Sequence, residues 1–468
     1  MEKVLLIDPP YRYLYGKSHA ATQPYFPLGL GYIAAVLRRA GYACQLLVDL
    51  GKKDFLATVM NTIKDSSPTL IGFTAMTTNY PNAVHIAREI KKTYTIPIVI
   101  GGAHASACGA KILASENGSF DYAILGEGED TMTELVAALR MGKKDLSSIN
   151  GLVWRSGDGQ VIINPPRALK EDMDSLPFPA RDMVDMGLFS IHSHIKSSEN
   201  AATILTSRGC PYGCVFCSAH TVSGRRYRPH SAKYVLSEME ELVNKYNVKY
   251  VFIQDDTFTF DRGRLKEICE QMIARGLRLK FGCLSRVDIM DLSMAKLLKK
   301  AGCVNVVFGI ESGDEEVLKK MRKQISLKQV NTAIHACEAA GIKTLASFII
   351  GFPFDTKETI ERTIKFALTL NPTLVAFNPL VPFPGADIFD DTVHVPRDID
   401  GWSRYLTVSV PPFSFVNGLT PEEIYGLAQR GHRRFYLRPG QMFRMVKNVH
   451  SFSEIKEMVR AGLAVLFR

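Results

Sequence analysis

The chain of 468 residues has no apolar run approaching the roughly 18 residues of a spanning helix, which excludes a helical membrane span. Its nine cysteines are too sparse for a disulfide scaffold. No low-complexity segment interrupts it, and a composition that is 46% hydrophobic and 22% charged excludes a disordered chain. The first apolar stretch, 4–7, runs straight into Asp8-Pro9-Pro10 without the cleavage pattern of a secretory leader. These absences predict a soluble cytoplasmic protein, and at about 100–200 residues per domain the length predicts about three domains. A net charge of +10 leaves several partners open: nucleic acid, anionic lipid, anionic cofactors, or only a well-solvated surface.

What the sequence does have is rhythm. Short apolar runs at 4–7, 44–48, 70–73, 97–100 and 122–125 alternate with helical patterns such as 28–39, 81–92 and 131–139. That spacing predicts α/β architecture with a doubly wound parallel sheet over residues 1–145, its ligands outside the carboxyl ends of the strands. Residues 151–164 read as a hairpin around Ser156-Gly157-Asp158-Gly159. A Pro-rich, acidic connector follows, so 146–200 is set apart as hairpin and linker. From 201 the rhythm resumes with strands at 202–206, 250–254, 280–284, 305–310, 344–350 and 374–378. Gly276, Gly302 and Gly341 stand as helix stops. Six βα units predict a partial (β/α)6 barrel over 201–385, active at its strands' C-terminal ends. Residues 386–468 lose the rhythm and read as a helical C-terminal region, with helices at 421–437 and 442–466. There Phe435, Tyr436, Met442 and Phe443 interleave with Arg433, Arg434, Arg438, Arg444 and Lys447. Such a surface docks on anionic membranes, or packs on the barrel with snorkelling arginines.

The central chemical signal is Arg208-Gly209-Cys210-Pro211-Tyr212-Gly213-Cys214-Val215-Phe216-Cys217, just after the first strand of the second array. Cys210, Cys214 and Cys217 are three thiolates able to share one metal centre. Structural zinc wants four ligands and usually a second Cys pair, and only His220 is near. A [4Fe-4S] cluster on three thiolates keeps one iron open for a substrate. Cys283, Cys303 and Cys337 read as buried structural residues; a hydrogen-donor role is the alternative for Cys283.

This motif, Cys-x3-Cys-x2-aromatic-Cys after the first of six βα units, resembles that of the radical S-adenosylmethionine (SAM) superfamily. The resemblance implies SAM contacts from Phe216 to adenine, from Asp255 and Asp256 to the methionine amino group, and from Arg286 to the carboxylate. It also implies that Glu311 binds the ribose hydroxyls and that Gly351 lets the adenine approach backbone. The bland readings are helix capping for the aspartates, local ion pairing for Arg286 and Glu311, and a turn at Gly351. The implied chemistry is reductive cleavage of SAM to a 5′-deoxyadenosyl radical, which needs a one-electron donor such as flavodoxin or ferredoxin.

The leading α/β domain resembles the cobalamin-binding domain of the B12-binding radical SAM class, to which the magnesium-protoporphyrin ester cyclases and hopanoid-biosynthesis proteins belong. Thr74, Gly101, Gly102, His104, Glu127 and Gly128 fall where that resemblance places cobalamin contacts. The Asp-x-His-x-x-Gly sequence that supplies a lower-axial histidine is absent, so cobalamin is expected without one, with Tyr11, Tyr13 or Tyr15 over that face. The alternative is a domain that keeps the fold and binds no cobalamin. The resemblance implies functionalisation of an unactivated carbon, foremost by methyl transfer. The alternatives are a non-methylating cyclase or carbon–carbon bond-forming enzyme on a tetrapyrrole or lipid, and an Fe–S/cobalamin module that does not cleave SAM. No RNA-binding domain is apparent, so nucleic acid is not an expected partner; a peripheral membrane contact through the basic C-terminal region is.

Overall fold

Aliphatic runs too short for helices, separated by amphipathic stretches, fold as the rhythm predicts. The computed structural model describes residues 2–11, 25–49, 54–115, 118–189, 191–193, 196–198, 200–390, 392–396 and 398–447. In the first unit the strands are β1 (Lys3–Asp8), β2 (Ala43–Val48), β3 (Leu70–Thr74), β4 (Ile98–Gly101) and β5 (Tyr122–Ile124). The helices are α1 (Leu28–Arg39), α2 (Phe55–Ser66), α3 (Tyr80–Thr93), α4 (Ala103–Cys108), α5 (Lys111–Ser115) and α6 (Glu129–Arg140). These five strands are parallel in the order β2-β1-β3-β4-β5, so the winding reverses at β1/β3. Crevices at such reversals are where α/β sheets bind ligands.

The hairpin β6 (Leu152–Arg155) and β7 (Val161–Ile163), which the sequence reading set outside 1–145, joins this same sheet. Tyr122 pairs antiparallel with Trp154, which extends the sheet and covers the edge that β5 would expose. Three 3₁₀ turns (Met173–Ser175, Arg181–Met183, Met186–Leu188) form the connector. Arg38 of α1 holds it through Asp182 at 2.6 Å. The small ribbon β8 (Ile191–Ser193) and β9 (Lys196–Ser198) follows.

The second unit is an open six-stranded parallel sheet: β10 (Ala201–Ile204), β13 (Tyr250–Ile253), β14 (Lys280–Ser285), β15 (Cys303–Glu311), β16 (Lys343–Ile350) and β17 (Leu374–Pro379). Between β10 and β13 lie β11 (Ser207–Arg208), α7 (His220–Ser223), β12 (Arg228–Pro229) and α8 (Ala232–Tyr246). The remaining helices are α9 (Arg262–Ala274), α10 (Leu292–Lys300), α11 (Glu315–Lys320), α12 (Leu327–Ala339), α13 (Lys357–Leu370), α14 (Pro421–Tyr436) and α15 (Pro439–Lys447). Side chains of Ser231, Asp261, Asp291, Ser326 and Thr356 cap the barrel helices at their N-termini. Gly302 ends α10 at φ +108, where a Cβ would press on the Leu279 carbonyl.

The C-terminal region covers two weak places. Tyr436 of α14 bonds both backbone groups of Val375, and His432 Nε2 accepts from the Phe377 N–H at 3.1 Å, so the open edge strand β17 is closed. Arg438 stacks on Phe435 and donates to the Leu368 carbonyl, while Arg444 donates to the carbonyls of Asn371 and Pro372. These contacts pack the aromatic–basic face on the barrel; Met442 and Phe443 remain exposed. The 3₁₀ turn Ile399–Arg404 reaches back to the first unit, where Trp402 and Tyr405 complete the core under α3. The other face of that sheet shares one continuous core with the barrel helices. Tyr13, Tyr15 and the tail beyond 447 lie outside the described residues. Among the described residues no helix is long and apolar enough to cross a membrane.

Candidate functional site

The carboxyl ends of β1, β3, β4 and β5 face the barrel's first strand ends across one cleft with about 1200 Å³ of empty space, partly open to solvent. Its first-domain wall is formed by Leu6, Gly72, Thr74, Gly101 and Gly102, with Glu127, Gly128 and Glu129 at the lip. The barrel contributes Leu205, Arg208, Gly209, Val222, Gln254 and Asp256. Seven lining residues are glycines, so much of the wall is bare backbone over an apolar floor. A large flat group with polar edges suits this surface. Among the described residues the lining contains no histidine.

Of the cobalamin contacts expected from sequence, Thr74, Gly101, Gly102, Glu127 and Gly128 line this cleft and His104 does not. His104 lies in α4 and turns into the core. Its Nδ1 is 3.2 Å from Thr77 Oγ1, its Nε2 3.6 Å from Cys108 Sγ, and its ring packs on Tyr80 and Trp402. Burial lowers its pKa to about 3, so it is a neutral packing residue.

Gly209 opens the cysteine loop at φ +82, and a Cβ there would collide with the Arg226 carbonyl oxygen. Glycine is what lets the chain turn from β11 into Cys210. Cys210, Cys214 and Cys217 are free thiols; burial first, and then neighbouring negative charge, raises the pKa of Cys210 and Cys217. Among the described residues no three ligating side chains close around a single ion. A cuboidal cluster puts each thiolate on a different iron, so its sulfurs stand farther apart than ligands of one cation. The donor set of three soft thiols on one short loop fits such a cluster. Phe216 packs edge-on to Phe352 in the apolar group beside the loop.

The barrel strand ends depart from the sequence expectation in three places. Asp255 is fully buried and accepts from Thr206 N (2.6 Å), Thr206 Oγ1 (2.5 Å) and Ser207 Oγ (2.6 Å), so it holds the strand end leading to the cysteines. Asp256 is the aspartate that opens onto the cleft; desolvation and the Asp255 charge raise its pKa. Arg286 is committed to Asp288 at 3.0 Å and to the Lys323 carbonyl, and lies 3.5 Å over the Tyr212 ring, inside the cysteine loop. Its charge braces that loop. Gly351 donates its N–H to Asp355, and a Cβ would face Ile424 of α14, not the barrel mouth.

Glu311 is buried in a local ion pair and does not line the cleft. It sits at a bulge in β15 with φ +73, a backbone strained for a glutamate, and its Oε1 accepts from Lys323 Nζ at 2.9 Å. Cys283 is fully buried beside Cys303, whose thiol donates to the Asn305 carbonyl, as expected of a structural thiol.

Sequence reasoning missed the ion network that joins the domains. Arg208 Nη2 is 2.7 Å from Glu129 and its Nη1 3.5 Å from Glu127; Arg228 holds Glu127 through both terminal nitrogens at 2.6 and 3.0 Å. Arg208 also stacks on Tyr32 at 4.9 Å. Burial works against the Arg208 charge, but Glu129 and Glu127 outweigh it and its pKa rises. The only signal was the pair of acids in Gly126-Glu127-Gly128-Glu129, which reads equally well as a ligand loop.

Comparison with known proteins agrees with this layout. The chain matches the radical SAM superfamily over residues 204–367 and the B12 binding domain over 19–136. It is 32% identical over 468 residues to an uncharacterized methyltransferase of Pyrococcus horikoshii, covering 100% of this chain and 99% of that one. It is 30% identical to the anaerobic magnesium-protoporphyrin IX monomethyl ester cyclase of Rubrivivax gelatinosus, over 93% of this chain and 77% of that one. The fold is shared with the methyltransferase TsrM of Kitasatospora setae, solved with cobalamin and a [4Fe-4S] cluster, at a TM-score of 0.72 and 20% identity over 95% and 90% of the chains.

Proposed function

Because the chain belongs to the radical SAM family with a B12-binding domain, we propose that it is a cobalamin-dependent radical SAM enzyme that transfers a methyl group to an unactivated carbon. One observation carries this reading: Gly209 and Ala219, which flank the three-cysteine loop on either side, line the same cleft as the glycine-rich end of the α/β sheet. When bound there, the cluster with SAM supplies one-electron cleavage and the corrinoid supplies the methyl group. Cys210, Cys214 and Cys217 hold the cluster. Glu311, kept in place by Lys323, receives the ribose hydroxyls, and Asp256 faces the amino group of SAM. Thr74 and the bare backbone at Gly101 and Gly102 would admit the edge of the corrinoid. The Arg208–Glu129 bridge closes one side of the cleft, and its apolar floor excludes water from the reacting carbon. That floor suits an apolar substrate of tetrapyrrole or lipid type, and the electrons come from a flavodoxin- or ferredoxin-like donor.

The test is anaerobic reconstitution with iron, sulfide and hydroxocobalamin. About four irons and one corrinoid per chain are expected; iron without corrinoid would overturn the methyl-transfer reading. The cyclase relative favours one alternative, radical ring formation without methylation. Turnover that yields 5′-deoxyadenosine but no S-adenosylhomocysteine would select it.

A further inference from the structure

Buried polar side chains in folded proteins have hydrogen-bond partners. Among the described residues ten buried side-chain nitrogen or oxygen atoms lack one, and nine of them belong to residues of one region. They are Tyr32 of α1, Arg181 of the connector, Thr203 of β10, Arg228 and His230 at β12, and Tyr234 and Glu238 of α8. All except Tyr234 are at most 2% exposed. This is where the α/β domain, the connector and the barrel meet.

The contacts within the group bring it together and satisfy it only in part: Arg181 pairs with Glu238, and the Tyr234 hydroxyl lies within reach of Tyr32. Arg181 Nη2 stands 2.7 Å from Glu238 Oε1 but directs its N–H to the Thr203 carbonyl at 2.9 Å. The His230 ring stacks on Tyr234 at 3.9 Å, with Nδ1 3.3 Å from Asp174 and unaligned to it. The hydroxyls of Tyr32 and Tyr234 both feel the Glu238 charge. Leaving the remaining atoms unpaired would cost an amount comparable with the net stability of a domain.

The chemistry of the atoms defines the missing partner. The two arginine Nε atoms only donate, the two Glu238 oxygens only accept when ionised, and the three hydroxyls and the two His230 nitrogens supply both kinds. A cation would leave the donors unmet and an anion the acceptors. The fixed charges already balance, with Arg181, Arg208 and Arg228 against Glu238, Glu127 and Glu129. We propose that the domain junction encloses a cluster of ordered waters, at most about three, since nine atoms at about three bonds per water need no more. Tyr32 also lines the cleft, so this cluster forms a hydrated wall behind it. The inference is independent of which cofactors the cleft binds.

A high-resolution crystal structure of the full chain tests it directly, with Tyr234→Phe beside the wild type. Water peaks, up to about three, bonded to Tyr32, Tyr234 and Glu238 are expected, with the bond to the Tyr234 hydroxyl lost in the variant. Side chains that pair with one another and leave no density between them would overturn the proposal, as would an ion. Radiolytic hydroxyl labelling gives a second readout in solution, because bound water labels the residues beside it. Tyr32 should be oxidised several-fold more than Tyr405, which is as buried and has its own backbone partner; equal protection of these two would refute the proposal.

Discussion

Replacing Arg208 by methionine tests how the two domains are joined. Methionine keeps much of the side chain's length and removes its charge. Glu127 would keep Arg228, bonded at 2.6 and 3.0 Å, so the charge left without a partner is that of Glu129. Breaking a buried ion pair by deleting one member costs about 3–5 kcal/mol. Loss of the guanidinium from the Tyr32 face adds about 0.5–1 kcal/mol. At about 1.4 kcal/mol per tenfold, the population with an opened junction rises by at least a hundredfold. The assay is equilibrium denaturant unfolding of wild type, Arg208→Met, Glu129→Met and the double variant. The double variant should recover most of the loss, because removing both charges leaves neither stranded. A single variant within about 1 kcal/mol of wild type, or a double variant no better than Arg208→Met, would refute the electrostatic account.

Three further outcomes follow from the same coordinates. Gly209→Ala should displace the cysteine loop, because its φ of +82 and the Arg226 carbonyl leave no room for a Cβ; iron uptake should fall while the far-ultraviolet dichroism of the α/β domain is kept. Glu311→Gln removes a charge-assisted bond of about 1.5–3 kcal/mol, so anaerobic calorimetry should show SAM binding weakened roughly 10- to 100-fold at unchanged iron content. Asp8, at the end of β1, has its pKa raised to about 7 by burial and then by Asp49. The folded chain therefore keeps a proton that the unfolded chain releases above pH 3.8, and stability falls as pH rises towards 7, by up to about 4 kcal/mol. Asp8→Asn should gain on wild type between pH 5 and 8 in denaturant midpoint; a difference independent of pH would sink this assignment.

The strands were legible to within a residue or two because their signals are local: aliphatic runs, capping side chains and helix-stop glycines at a regular spacing. The cysteine loop was legible for the same reason. What escaped was direction and distance. His104 follows a glycine pair at a strand end, the place for a ligand contact, and only the packing of Trp402 some 300 residues later shows that it faces the core. Asp255 and Asp256 are adjacent and look interchangeable, yet one ties down Thr206 and Ser207 while the other meets the cleft. Arg286 was expected to hold a carboxylate, and it does hold one, but its own chain provides it two residues away as Asp288. Nothing in 152–163 says which strand edge the hairpin will choose.

The return of Trp402 and Tyr405 to the underside of the α/β sheet sets an order of events during synthesis. The ribosome releases the first 163 residues, enough for the whole seven-stranded sheet, long before the turn at 399–404 emerges. Until then Tyr80 and His104 lack part of their cover, and the nascent domain presents an unfinished apolar surface. A segment made well after the barrel strands is thus the clasp that finishes the first domain. Expressing the leading domain alone by cutting after the hairpin would leave that seam permanently open, and a fragment meant for corrinoid binding should carry residues 386–416 back in as a fused or co-expressed segment.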